Sequence, residues 1–479
     1  MQGEYRCDVT RDLFDPAKHF LRVLYQQGRV QLDADHNAQI SIFLHYLQSL
    51  AKDLYGPFGG PCESGFKIST LADPANDFNI SGGHYYVDGI LCEVEGATTY
   101  RNQPDPPIAE DKKLVAGNHL VYLDVWERHI TPIEDDSIRE VALGGPDTAT
   151  RAQVVWQVKA TSQGPEGTAV LGPSPPDPPG NWRDWVHAEW SKWRDQWQPS
   201  NRGMLKAQAK KGPKDDTDPC ITSPESRYLG AENQLYRVEI HREGEAWHGT
   251  QGNEGQAATF KWSRENSSVA AALVDTDGDK LTVSGIRDVT HGFAAGQWVE
   301  LTQDEWEVRG EFGIMVKLVK VEGQVLTVDP TTATQPIPSD LSLLKHPKVR
   351  RWDHSCEQKA LDAGQAKVAK PDKGALLIEE NQWLTLEDGV QIYFEKSMPV
   401  DHQYCTGDYW LIPARTATGD VEWPGPAGNP AALPPHGIEH HYAPLAIINV
   451  DVNGKVTLAA GADADLRSRK RLDDCPPQE

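Results

Sequence analysis

Short runs of β-branched and aromatic residues, each cut off by glycine, proline or aspartate, recur along most of this chain and restrict it to a mainly β body. Leu120 to Trp126, Val154 to Val158, Leu235 to Ile240, Thr259 to Ser263, Trp383 to Leu386, Val390 to Phe394, Tyr409 to Ile412 and Leu445 to Val450 all have strand composition. The sharpest local signal lies between Tyr85 and Val94, where Asp88-Gly89 interrupts two strand-like runs. Asp-Gly tolerates the positive φ of a two-residue hairpin turn, so a hairpin is expected there. Gly and Pro, 41 and 34 of 479 residues, supply turns without reaching a disordered composition. The length predicts roughly two to four domains.

Two segments carry helical periodicity. From His36 to Tyr55, Ile40, Phe43, Leu44, Leu47, Leu50, Ala51 and Leu54 recur at three- and four-residue steps. Asp33 or Asp35 is the expected N-cap, and Gly56-Pro57 the stop. A shorter helix is expected over Pro16 to Gln27, joined to the first by an extended link at Gly28 to Leu32. The second periodic segment carries Trp182, Trp185, Trp190, Trp193 and Trp197. At about 100° per residue the five indoles share one face, with Asp184 and Asp195 opposite.

The expected organisation is a mainly β fold with α additions: a multi-domain sandwich- or barrel-like body, an N-terminal helical arm and a Trp-rich inserted helix. The arm takes residues 1–75 and the first part of a β domain residues 76–165. A Pro-rich insertion with the Trp helix follows at 166–225, and more strands of the β domain at 226–264. A small barrel is expected over 265–335, where Leu281-Thr282-Val283 and Leu326-Thr327-Val328 are among short strands separated by Gly or Asp turns. Residues 345–375 read as charged and irregular, 336–460 as the completion of the β domain, and 461–479 as a polar tail.

Charge narrows the function classes. With 47 Lys plus Arg against 70 Asp plus Glu, the net charge of −23 is wrong for generic phosphate binding, so nucleic acid is excluded as an expected partner. No apolar run reaches the length of a membrane span, and the opening residues lack the pattern of a secretory leader, so cytoplasmic synthesis and assembly are expected. The seven cysteines form no short-spaced pair and read as reduced thiols.

Catalytic motifs are sparse. His436-Gly437-Ile438-Glu439-His440 matches the HxxEH pattern of inverted zinc proteases, with Glu439 as the would-be base. That chemistry needs both histidines on one helical turn, whereas Pro434-Pro435 precedes them and a strand follows, so a polar loop is expected. His436, His440 and His441 remain a candidate metal trio that needs no helix. Asp275 to Asp279 begins like a calcium loop, but its glycine falls at the fourth place and an Asp-Gly turn explains it better. No Walker, GxSxG or GxGxxG motif is present, so the chain is expected to be neither an enzyme nor the holder of a cofactor. The alternatives are a metal-dependent hydrolase and a glycan-binding β protein. The tryptophan stripe has two readings, a core helix or an anchor inserted into a neighbouring subunit. Its Pro-rich flanks favour the anchor, making Trp182, Trp185, Trp190, Trp193 and Trp197, together with Phe43 and Leu47 on the arm, the expected partner-binding residues.

The strings LYQQGRVQLDADHNAQI at 24–40, VYLDVWERHITPIEDDSIREVALGGPDTATRAQVVWQVK at 121–159, FKWSRENSSV at 260–269 and GDYWLIPARTATGDVEWP at 407–424 together resemble an uncharacterised bacterial family. That family carries no established activity to transfer. Its N-terminal part, GRVQLDADHNAQ followed by GGHYYVDGILCE, is similar to the N-terminal regions of phage tail and baseplate-fibre proteins. The resemblance implies a structural subunit of a phage-tail-like contractile injection system. In that setting the chain would bind other subunits and further copies of itself in the baseplate, around the spike or at a fibre attachment, in a particle that is released or docked on a membrane.

Overall fold

The computed structural model describes residues 5–61, 64–71, 75–105, 108, 112–143, 147–165, 171–176, 180–210, 227–249, 255–286, 292–354, 374–397, 399–426, 428–459 and 463–468. Much of the Pro-rich stretch around the Trp helix, the Lys-rich stretch after it and most of the polar tail lie outside these residues. Cys7, Cys92 and Cys405 are free thiols, and the other four cysteines are not among the described residues. The fold is mainly β, and the chain passes back and forth between two compact units, one within residues 1–12, 129–151 and 201–438, the other within 13–128, 152–200 and 439–479.

The second unit is built on a four-stranded sheet in the order Val456–Leu458, His441–Val450, Gly117–Ile130, Arg151–Thr161. Leu120 to Trp126 are buried without interruption, as expected of a strand covered on both faces. The Asp-Gly hairpin forms as read, pairing Gly83–Val87 with Ile90–Val94, with Asp88 at φ 49° and Gly89 at φ 88°. Gly89 is required twice over. A Cβ there would lie 2.0 Å from the Gln48 carbonyl oxygen, so only glycine lets the neighbouring helix rest on the turn.

That helix, α1, spans Asp33–Tyr55. It starts at extended Leu32 with no side-chain cap, and Asp33 and Asp35 lie inside the first turn, where they oppose the positive end of the helix dipole. Gly56 ends it, its N–H donating to the Lys52 carbonyl at 2.7 Å. The shorter helix expected before it is reduced to one 3-10 turn at Pro16–Lys18, because His19 enters the left-handed region at φ 53° and stops propagation. The second helix, α2, spans Trp182–Trp197, with the Asn181 side chain accepting from the Asp184 N–H at 2.8 Å as its N-cap.

The first unit holds a five-stranded sheet, in the order Leu376–Leu377, Thr259–Ser263, Gln234–Arg242, Tyr409–Arg415, Asp420–Val421. A three-stranded sheet of Trp383–Thr385, Val390–Phe394 and Leu205–Ala209 shares its hydrophobic core, in which Val238, Phe260, Ile392, Phe394 and Trp410 are all buried. The strands after residue 376 therefore divide. Those from Leu376 to Val421 belong to this unit, and only His441–Val450 and Val456–Leu458 join the sheet of Gly117–Ile130, unlike the single completion read from sequence.

A closed six-stranded barrel completes the first unit: Ala270–Asp277, Lys280–Ser284, Val325–Asp329, Ile314–Glu322, Trp298–Thr302 and Lys348–Trp352. Leu281 and Leu326, from the two recurring tripeptides, pair directly across the barrel wall. The Asp275–Asp279 stretch makes a hairpin turn with Gly278 at φ 62°, as read. The closing strand is a correction to the charged, irregular reading of its residues. Lys348, Arg350 and Arg351 are buried, and carboxylates of the same unit neutralise them.

Candidate interaction surface

The tryptophan stripe faces inward. Trp182, Trp190 and Trp193 are buried in the second unit's core, and Trp185 and Trp197 pack against that core from its margin. Trp197 stacks on Tyr122 with ring centroids 4.0 Å apart, and Trp190 meets Phe58 edge-on at 6.1 Å. The Trp193 indole N–H donates to the Gln163 carbonyl at 3.3 Å, and the Trp182 backbone N–H is held by the Asp463 carboxylate. This corrects the anchor reading: the indoles cover the unit's own sheet, where roughly 150–250 Å² of each aromatic side chain can leave water.

The apolar surface left in water lies on α1. Of twenty-five large hydrophobic residues exposed among those described, thirteen fall between Phe20 and Leu54. Only Ala34, Ala38 and Ile42 of α1 are buried. One side of the helix carries Ala38, Ile42, His45 and Tyr46, which with Leu13, Phe14, Phe20 and Val23 line a cavity of about 440 Å³. The Val23 N–H donates to the Gln39 side chain at 2.8 Å, tying that segment to the helix. A second side meets the hairpin. Tyr55 stacks on Tyr86 at 4.8 Å, and Lys52 pairs with Asp88 at 2.7 Å.

The third side is open. Ile40, Phe43, Leu44, Leu47, Leu50, Ala51 and Leu54 fill an arc of about 120° at 100° per residue. The six large ones are all exposed, Leu47 at 63%. Phe43 and Leu47, two of the expected partner-binding residues, thus lie in the middle of an uncovered stripe. From Ile40 to Leu54 no charged or polar side chain falls within the arc, so water gains no hydrogen bonds there.

The histidine motif is dispersed. His436 is in irregular backbone bridged to Tyr409, and burial pushes its imidazole down to about 4. His440 Nδ1 is 2.7 Å from Asp124, which also holds Lys159 at 2.6 Å, whereas His441 Nδ1 is 3.1 Å from Asp88. Two neighbouring imidazoles held by different carboxylates do not share a metal, and no helix carries the HxxEH spacing. None of the three belongs to a group of closely spaced ligand atoms among the described residues.

Two such groups do exist. Glu245, His248 and Asp401 sit near the surface, and Glu134, Asp304 and Glu307 converge inside the first unit. The inner group already holds a cation: the Lys348 ammonium contacts Glu134, lies 2.7 Å from Glu307 and 3.6 Å from Asp304. Burial opposes ionisation of Glu307, but Lys348, Arg350 and Arg6 outweigh it and hold the carboxyl at about 2. Nearby, Glu239 receives Arg6 at 2.9 Å, Arg237 at 2.6 Å and Lys261 at 3.3 Å, and Glu300 receives Lys261 and the Trp352 indole at 2.7 and 2.9 Å. These buried charges neutralise one another, and nothing in their arrangement points to catalysis. Sequence reasoning missed them because each contributing strand reads as an ordinary mixture of charged and apolar residues.

Residues 5–170 and 200–458 match the family of unknown function DUF6519. The chain belongs to this family. The segment between the matched stretches contains α2, so the helix that fills the second unit's core lies outside them. Comparison with curated proteins and with solved structures finds no match. No helix among the described residues is long and apolar enough to cross a membrane.

Proposed function

We propose that this chain is a structural subunit of a larger protein assembly, held to its neighbours by the open side of α1 and the apolar segment before it. The observation that carries the reading is the concentration of exposed large hydrophobics between Phe20 and Leu54. Exposed contiguous apolar area beyond a few hundred Å² marks interaction sites in folded proteins. The setting we propose, a phage-tail-like contractile particle with the chain in its baseplate, around its spike or at a fibre attachment, is supported by the N-terminal sequence similarity.

The test is sedimentation of native particles from cells carrying Phe43→Glu with Leu47→Glu. Both side chains are exposed, so the variant is expected to fold, as circular dichroism checks, and to leave the particle fraction for the soluble fraction. Normal incorporation of the folded variant removes the proposal.

A further inference from the structure

Resting on that reading, we infer that the open side of α1 packs against the same side of α1 in a second copy of this chain. Ile40, Phe43, Leu47, Leu50 and Leu54 follow one another at steps of three, four, three and four residues. That is the a and d spacing of a two-helix seam, in which each side chain inserts between residues of the facing helix. A seven-residue repeat is self-complementary. Rotating one copy onto another brings the same row of side chains opposite itself, the condition for a symmetric pair.

Charge supports a homotypic contact. Two copies of a chain with net charge −23 repel one another on average, and a contact surface free of charge adds nothing to that repulsion. Positions flanking the seam are Asn37, Gln39, Leu44, Tyr46, Ala51 and Asp53, with one charge among six. A seam built for a chemically different partner would use these flanks for charge selection, as helix pairs commonly do.

Area supports it too. The seam from Ile40 to Leu54 runs about 21 Å at 1.5 Å per residue, roughly two heptads, which is short for a coiled coil standing alone. Phe20 lines the same cavity as Tyr46, so the apolar segment adjoins the helix and extends the surface. The six exposed side chains of the open side, joined by Phe20 and Tyr46 at its edge, offer several hundred Å², approaching the roughly 800 Å² per partner of a stable interface.

The experiment uses the full chain. Sedimentation velocity across protein concentration is expected to show a mass of two or more copies for the wild type. Leu47→Glu with Leu50→Glu, and separately Leu47→Lys with Leu50→Lys, are each expected to run as monomers with unchanged circular dichroism. Mixing the two variants is expected to restore the larger species, because opposite charges then face each other across the seam. A monomeric wild type at tens of micromolar, or a mixture that stays monomeric while the wild type associates, overturns the inference. Monomeric wild type with particle incorporation still lost in Phe43→Glu/Leu47→Glu overturns self-pairing and leaves the docking reading standing. Self-association with normal incorporation of that variant does the reverse.

Discussion

Replacing Trp193 by alanine separates a core helix from an anchor, because the two roles predict opposite effects on stability. Trp193 is 1% exposed, meets Trp185 and Trp190 with ring centroids 5.4 and 6.3 Å away, and donates its indole N–H to Gln163. Removing a buried indole costs about 3–5 kcal/mol through lost transfer energy and the cavity left behind. The parallel change Leu47→Ala, on the open side of α1, is expected to stay within about 0.5 kcal/mol. Because the chain has two compact units, one global melting point would blur the comparison. Hydrogen exchange read by mass spectrometry in increasing urea resolves it. Peptides from Gly117–Ile130 and His441–Val450 should lose protection in Trp193→Ala, while those from Gln234–Arg242 keep theirs. Unchanged protection of all three strands in Trp193→Ala would falsify the placement of the stripe in the core.

Three further outcomes follow from particular contacts. Lys348→Ala strands Glu134, Asp304 and Glu307 without their cation, and the first unit should lose about 3–5 kcal/mol in urea denaturation. Gly89→Ala faces both a positive φ and the Gln48 carbonyl, so it should cost about 2 kcal/mol or more and speed exchange of α1 amides. The pH dependence has a defined sign. Burial holds His241 down to about 3 and His354 to about 4, so the unfolded state takes up their protons first, near pH 6.5. The contribution of these two histidines to the stability of the first unit should be full above that pH and fall by about 1.4 kcal/mol per pH unit for each down to its folded value, with Glu307 adding to the loss between about 4.5 and 2. Buried Asp408, pushed up to about 7, works in the opposite direction as pH falls below 7. His241→Phe should flatten the profile between pH 6 and 4, measured as the urea midpoint at each pH.

Much of this was legible in the residues themselves. The Asp88-Gly89 turn, both main helices and most strands of the barrel follow from turn chemistry and hydrophobic period, which are local. What covers a face is not local. The period of the indoles announces that one side of α2 is buried, but the same period serves a helix laid on its own sheet and a helix inserted into a neighbour. In α1 the periodic face stays uncovered within this chain, because the hairpin and the Leu13–Val23 segment use two other sides and leave a third. Lys348–Trp352 escaped notice because a buried strand carrying Lys and two Arg makes sense only beside Glu134, Glu307 and Glu265, which are distant in sequence. Residues after Pro16 kept helical spacing at Phe20, Leu21 and Leu24, yet His19 turned the backbone left-handed and the helix ended after one turn.

Carbene footprinting of side chains tests the central claim most directly, comparing the chain in native particles with purified chain diluted until it is monomeric. Val141, Leu343 and Val452 are exposed references outside the α1 sequence. Phe43, Leu47, Leu50 and Leu54 should be labelled in the dilute monomer and shielded in the particle, with the references shielded less. Equal labelling of all four in both states would contradict the claim that the chain works through the open side of α1.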